Sequence, residues 1–160
     1  MKIFKKITFL AFAILALTVS FSCSNNDSSD EDEIVTTENF IKFKYNGASY
    51  SLQPELSESE AMALMGFQGI DNTFRRVSLW MPLNATAGTY PIVYDLKKLT
   101  TTYQADFSFL PEIDNAVATS GTITITVIDS KKIKGTFSFS GTNKGTAFAV
   151  TEGSFSFYRF

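Results

Sequence analysis

Few side chains in this sequence could do chemistry, and histidine is absent from all 160 residues. Because histidine is the commonest general base near neutral pH and the commonest zinc ligand, Ser-His-Asp and Cys-His arrangements are excluded. Carboxylates could still act in pairs, as they do in glycoside hydrolysis. Most of the acids in question fall at predicted strand ends, where solvated carboxylates are common, so we expect no catalytic residue and no enzyme. The four candidates are Asp95, Asp106, Glu112 and Asp114.

Oxygen ligands for a metal ion are a second kind of chemistry to consider. Asp71, in the segment "DNTF", and Asp114, in "EIDNA", could offer oxygen atoms to calcium. Neither segment has the spacing of a calcium-binding loop, and the turn-forming tendency of Asp and Asn explains both. Gly66 and Gly69 lack the rest of a nucleotide-binding fingerprint. The sequence therefore predicts no metal and no cofactor.

Aromatic side chains are a third source of chemistry, because tyrosine and tryptophan combine apolar area with a polar group. They could line a binding cleft or stack on sugar rings. The alternative is packing in a β core, which we expect for most of them, including Trp80 between Leu79 and Met81. The ligand-binding residues therefore stay unknown at this level. The aromatic candidates are Trp80, Tyr45, Tyr50, Tyr90, Tyr94, Tyr103 and Tyr158.

The only cysteine, Cys23, follows a positively charged and then apolar amino terminus. The order of basic residues, the apolar run from 7 to 19 and the small residues Ser20 and Ser22 is that of a secretory signal peptide. The apolar run is shorter than the roughly 20 residues that a membrane-spanning helix needs. Free cysteines are often buried, but polar neighbours such as Ser22 and Ser24 argue against that environment for Cys23.

The segment "VSFSC" resembles a bacterial lipoprotein signal, or lipobox, with Ser20 where leucine is usual. The resemblance implies that residues 1–22 are removed and that the new amino-terminal Cys23 carries acyl chains such as palmitate. Two or three chains hold a protein stably to a membrane that it does not span. Once Cys23 is acylated, no thiol remains, so no disulfide can form within one chain.

Residues 23–39 are polar and carry acids but no lysine or arginine, which predicts a disordered, extended tether. Acids directly after a lipidated cysteine resemble the surface-export signals of Bacteroidota lipoproteins. That resemblance implies an outer-membrane protein, lipid-anchored and exposed at the cell surface. The remaining residues 40–160 carry eleven basic and ten acidic side chains, and this near-neutral charge argues against nucleic-acid binding.

Residues 40–160 have the length of a single domain, and their composition and residue pattern predict an all-β fold. Apolar and polar residues alternate with strand period, and turn residues such as Asn46-Gly47 recur between the runs. We expect an antiparallel meander of about seven to nine strands, either a sandwich or a barrel-like closed sheet. The segment 56–65 fits either a strand or a short helix. A change of parity near Glu152-Gly153 predicts a β-bulge in which Gly153 takes the unusual backbone conformation.

The segment "SGTITITVIDSKKIKGTFSFSG", followed by "VTEGSFSF", resembles the carboxy-terminal signature of small uncharacterised Bacteroidota lipoproteins. The resemblance implies the fold and the location but transfers no functional residue. We therefore expect a lipid-anchored cell-envelope lipoprotein of unknown molecular activity that binds or interacts with an envelope protein or a glycan. The alternatives are a structural component of envelope assembly or a hydrolase that uses carboxylates.

Overall fold

The computed structural model describes residues 39–159, so the predicted signal peptide, Cys23 and nearly all of the tether lie outside the described residues. Within this range no helix is long and apolar enough to cross a membrane. Two single 3-10 turns lie at Asp71–Thr73 and Leu96–Lys98. The described residues form nine strands: β1 Phe40–Tyr45, β2 Ala48–Glu58, β3 Met62–Gln68, β4 Arg75–Met81, β5 Gly88–Pro91, β6 Gln104–Phe109, β7 Ile113–Ile128, β8 Lys132–Asn143 and β9 Thr146–Tyr158.

Eight of these strands close into an antiparallel barrel, in the order β1-β2-β3-β4-β6-β7-β8-β9 and back to β1. The ninth, β5, pairs with β7 alone and lies outside the closed ring. Closure depends on two long strands that change partners along their length. β2 pairs with β1 through residues 48–52 and with β3 through residues 53–58. β7 pairs first with β6 and then with β8. The expected all-β fold with a barrel-like closed sheet is confirmed.

The turns follow the predicted chemistry. Asn46 and Gly47 join β1 to β2 with φ of 48° and 77°, the left-handed values that a two-residue hairpin turn needs. The segment 56–65, which fitted a strand or a helix, is extended: β2 continues to Glu58 and β3 begins at Met62. Met62 and Leu64 are both fully buried. Pairing of β3 with β4 satisfies the backbone there, so tertiary context decides in favour of the strand.

The predicted bulge in β9 is present, but the prediction for Gly153 was wrong. Across β9, the residues that pair with Lys42 and Lys44 are Ser154 and Thr151, so β9 holds one extra residue there. Glu152, with φ of 49°, takes the left-handed conformation. Gly153 is required for space instead, because a Cβ atom there would lie 2.5 Å from ring carbons of Phe137.

The interior of the barrel is filled with aliphatic and aromatic side chains. Phe43 and Phe107 are almost fully buried with ring centroids 5.9 Å apart, and Phe107 stacks on Phe148 at 5.5 Å. Tyr45 packs edge-on against Phe107 at 5.0 Å. An eight-stranded barrel is just wide enough for such filling. A binding surface of this domain is therefore to be sought on its outer face.

Candidate functional site

The outer face of β4 carries the tryptophan that was expected in the core. Val77 and Leu79 point inward and are fully buried, so the intervening Ser78 and Trp80 point outward. Trp80 is only half-buried and is not part of the core cluster. The expectation of a core position for Trp80 was therefore wrong, because strand parity and not the apolar neighbours decides its direction.

Register brings three strands together on this face. Trp80 of β4 lies opposite Gln104 of β6, and Ser78 lies opposite Asp106. Asp106 in turn lies opposite Val117 of β7. Since residues paired across strands point to the same face, Trp80, Asp106 and Val117 share one outer surface.

A polar network fixes the orientation of these side chains. The indole Nε1 of Trp80 donates a hydrogen bond to Asp106 Oδ2 at 3.0 Å. Arg76 Nη2 lies 3.0 Å from Asp106 Oδ1 and donates to Asn115 Oδ1 at 2.7 Å. Both charged side chains are partly buried, at 32% exposure for Arg76 and 20% for Asp106. Each planar group thus has a defined orientation before any ligand arrives.

The network also keeps unused hydrogen-bonding capacity. Among residues 39–159, Arg76 Nε and Asp106 Oδ1 are buried side-chain atoms without a hydrogen-bond partner. The 3.0 Å contact of Oδ1 with Arg76 is therefore an ion pair without hydrogen-bond geometry. Native proteins rarely leave such atoms unpaired except at sites with a function or with bound water.

The connection from Ile92 to Tyr103, between β5 and β6, packs over this face and is held by Gln104. Gln104 is 3% exposed. Its Oε1 accepts from the backbone N–H of Asp95 at 3.2 Å, and its Nε2 donates to the carbonyl of Asp95 and the hydroxyl of Thr102, both at 2.7 Å. The carboxylate of Asp95 accepts from the backbone N–H of Lys97. The connection is thus tied to the sheet by partly buried hydrogen bonds.

Two stacked tyrosines hold the ends of the same connection. The rings of Tyr90 and Tyr103 are 4.0 Å apart and nearly parallel, at 8°. Burial, and then the contact with Tyr90, raises the pKa of Tyr103 well above its ordinary value. Tyr103 therefore stays neutral over the whole physiological pH range. The two stacked rings form a rigid apolar support for the connection.

Between the connection and the sheet lies a cavity of about 280 Å³, which we call the Trp80 pocket. Its sides differ in chemistry. The polar floor comes from the sheet and the apolar wall mainly from the connection, where Tyr94 and Leu96 are 45% and 63% exposed. Exposed apolar side chains beside an oriented polar network are typical of binding sites. The lining residues are Trp80, Gln104, Asp106 and Asn115 on the floor and Tyr94, Leu96, Leu99 and Val117 on the wall.

The four carboxylates proposed as catalytic candidates do not share one environment. Asp106 lies in the Trp80 pocket, whereas Asp95 caps the 3-10 turn beside it and contacts Lys98 at 3.7 Å. Asp114 is exposed on β7, outside the lining of the pocket. Glu112 accepts hydrogen bonds from Tyr45 and Asn46 at the β1–β2 turn. Burial, and then the hydrogen bond with Glu112, raises the pKa of Tyr45. Within residues 39–159 no group of three or more ligating side chains is placed to hold a metal ion.

The aromatic candidates divide between core and surface. Tyr45 and Tyr103 are buried in the core, and Tyr50 and Tyr90 are packed against it. Tyr158 lines a separate surface depression with Asn39, Leu56 and Glu58. Trp80 and Tyr94 are the aromatic candidates that line the Trp80 pocket.

Other surface features of the described part have less defined chemistry. A groove of about 290 Å³ along β1 and β2 is lined by Lys42 and Lys44, but Glu152 neutralises Lys44 at 2.8 Å. Arg75 lies over the ring of Tyr50 at 4.9 Å, and its cation is held by the aromatic face. A wide depression of about 700 Å³ near the β8–β9 turn is lined mainly by small residues, both polar and apolar, and by no charged side chain.

Comparison with known proteins identifies one family. The sequence model of a domain of unknown function, DUF6252, matches residues 55–158. The match begins within β2 and includes every strand and the whole connection that build the Trp80 pocket. It leaves out β1, although β1 closes the barrel between β2 and β9. No curated protein and no solved structure matches the chain.

Proposed function

The chain belongs to the DUF6252 family, whose function is unknown, and we propose that it is a lipid-anchored cell-envelope protein that binds a ligand in the Trp80 pocket. The observation that carries the proposal is the network in which Trp80 and Arg76 hold Asp106 in a fixed orientation. Groups held in place before binding lose little side-chain entropy when a ligand arrives, so even a small pocket can bind selectively.

Binding is favoured over hydrolysis by the composition of the pocket. Asp106 is the one acid among the residues lining it. The nearby Asp95 uses a carboxylate oxygen to cap the 3-10 turn, and its main-chain groups hold Gln104. A glycoside hydrolase of the usual kind uses two carboxyl groups facing the same bond. The hydrolase therefore ranks behind a binding module.

The location is proposed from the sequence. The signal-like amino terminus and the position of Cys23 support acylation, and the acidic residues after Cys23 support a spacer between lipid and domain. Sixteen residues of tether, from 24 to 39, reach at most roughly 50 Å when extended. Such a tether would let the Trp80 pocket meet ligands beyond the lipid headgroups.

An envelope-assembly role would use an exposed sheet edge, and β5 is the strand with one partner. It is only four residues long, and Pro91 at its end has no N–H to donate. Short edges with proline are protected against pairing with other chains. This alternative is therefore weaker than ligand binding.

Anchoring is tested by mass spectrometry of the protein purified from membranes, with Cys23→Ala as the matched variant. We expect acyl mass on Cys23 and release of the variant into the soluble fraction. An unmodified thiol in a membrane-free protein would contradict the location.

Binding is tested separately by the fluorescence of Trp80, the only tryptophan in the sequence. The full chain in detergent is titrated with saccharide, peptide and lipid fractions of a cell envelope. We expect a saturable change with one fraction that is lost in Tyr94→Ala and kept in Tyr158→Ala. No change with any fraction would contradict the proposed function.

A further inference from the structure

We propose that the ligand of the Trp80 pocket is a neutral sugar ring, such as one pyranose unit of a glycan, which rests on the proposed function and narrows it. The inference depends on three properties of the described residues. These are the balance of charge at the pocket, the kind of hydrogen-bonding groups on its floor, and the division of its surface into a polar and an apolar side.

The one charged residue that lines the pocket is already paired. Asp106 is the one charged side chain among the lining residues, and Arg76 lies 3.0 Å from it beside the floor. On the connection, Asp95 and Lys98 are 3.7 Å apart, and Lys97 is exposed to solvent. A strongly anionic ligand needs unpaired cations, and a cationic ligand needs unpaired acids. Since the one charge on the lining already has its partner, the pocket favours a ligand without net charge.

The floor offers hydrogen-bonding groups that suit hydroxyl groups. Asp106 Oδ2 accepts from Trp80 and retains further acceptor capacity. Asn115 uses its Oδ1 to accept from Arg76, which leaves the two N–H groups of its amide as donors. A hydroxyl donates one hydrogen bond and accepts others, so neighbouring hydroxyls of one ring can pair with an acceptor and a donor together.

The two sides of the pocket match the two aspects of a pyranose. Such a ring has hydroxyls at its edge and C–H groups across its faces. Tyr94 and Leu96 supply an exposed apolar surface opposite the polar floor. The volume of about 280 Å³ lies just below the range of roughly 300–1,000 Å³ typical of drug-sized ligands, so it suits one small ring.

The first experiment compares sugars of matched shape and different charge. The full chain in detergent is titrated with glucose, galactose, mannose and N-acetylglucosamine, and with glucuronate and protonated glucosamine. Binding is read from the fluorescence of Trp80. We expect at least one neutral sugar to bind more tightly than either charged sugar. Tighter binding of glucuronate or glucosamine at Trp80 would overturn the assignment of a neutral ligand.

The second experiment unbalances the charge. Asp106→Asn leaves the charge of Arg76 uncompensated, so the affinity ratio of glucuronate to glucose should rise. The expected rise is about fivefold, which corresponds to the attraction between two unit charges ~4 Å apart in water. Arg76→Gln should raise the ratio of glucosamine to glucose in the same way. Each ratio is measured within one variant, so a loss of stability affects both ligands alike. Unchanged ratios would show that this ion pair does not set the ligand charge.

The matched control is Asp114→Asn, which removes an exposed acid from β7 outside the lining of the pocket and should leave all ratios unchanged. The apolar wall is tested with Leu96→Ala against Ile70→Ala, since both residues are highly exposed. We expect weaker sugar binding only for Leu96→Ala. If no sugar of any charge changes Trp80 fluorescence while a peptide or lipid fraction does, the sugar assignment fails and the proposed function stands.

Discussion

Replacing Gln104 by alanine should loosen the connection over the Trp80 pocket without unfolding the barrel. Gln104 makes three hydrogen bonds to that connection, two with Asp95 and one with Thr102. At about 1 kcal/mol net for each bond, the upper limit of the loss is roughly 3 kcal/mol. Asp95 and Thr102 are only partly buried and regain water, so we expect a loss of about 1–2 kcal/mol in the free energy of unfolding.

Two measurements together test this prediction. Chemical denaturation gives the free energy of unfolding, and amide hydrogen exchange gives the local opening of residues 95–102. Exchange should accelerate in those residues and stay slow in β8 and β9. The control Gln53→Ala removes an exposed glutamine from β2 and should change stability by less than about 0.5 kcal/mol. Uniformly faster exchange in all strands, or an unchanged connection, would refute the role assigned to Gln104.

Two further predictions concern the turns and the bulge. Gly153→Ala places a Cβ atom 2.5 Å from ring carbons of Phe137, so we expect the free energy of unfolding to fall by about 1–3 kcal/mol. Adding Phe137→Leu should restore part of that loss. If Gly153→Ala alone has wild-type stability in chemical denaturation, the packing described for Gly153 is contradicted. Hydrogen bonds from the backbone N–H groups of Lys131 and Lys132 lower the pKa of Asp129. The ionised carboxylate of Asp129 therefore stabilises the fold fully at pH values above its pKa in the unfolded protein. This stabilisation is lost as the pH falls through the lower pKa of the folded protein. Compared with Asp129→Asn, the wild type should lose its advantage as the pH falls below the ordinary aspartate pKa of about 4, and parallel stability curves would contradict this.

Much of the fold follows from strand period in the sequence. Apolar residues at every second position identify the inward faces of β7 and β8, and Ile123 and Phe137 are buried as expected. Closure is harder to predict, because it depends on β2 and β7 each pairing with two neighbours. The pairing of β1 with β9, which closes the ring, joins residues far apart in the chain, such as Phe40 and Ser156, and local pattern does not specify where β2 or β7 changes partner.

The position of Trp80 shows that apolar neighbours in the sequence predict burial less well than strand parity does. Trp80 was assigned to the core from its neighbours Leu79 and Met81, although the alternation of Val77, Leu79 and Met81 already points Trp80 outward. The parity signal was therefore present in the sequence. It also marks Arg76 as an outward residue, which sequence reasoning did not select.

Other parts of the site have no local signal. Asn115 contacts Arg76 from 39 positions away, and their meeting depends on β6 lying between β4 and β7. Gln104 looks like any polar residue at the start of a strand, and its importance comes from burial under the connection. Lipidation of Cys23 stays a prediction, since it lies outside the described residues.

The central claim is that the Trp80 pocket is the binding site, and the most direct test is nuclear magnetic resonance of the indole N–H group. The chain has one tryptophan, so one indole resonance reports on the hydrogen bond between Trp80 and Asp106. During titration with the neutral sugars, we predict a saturable shift of this resonance together with the backbone amides of Tyr94 and Asn115. A constant indole resonance while amides of another surface shift would contradict the account.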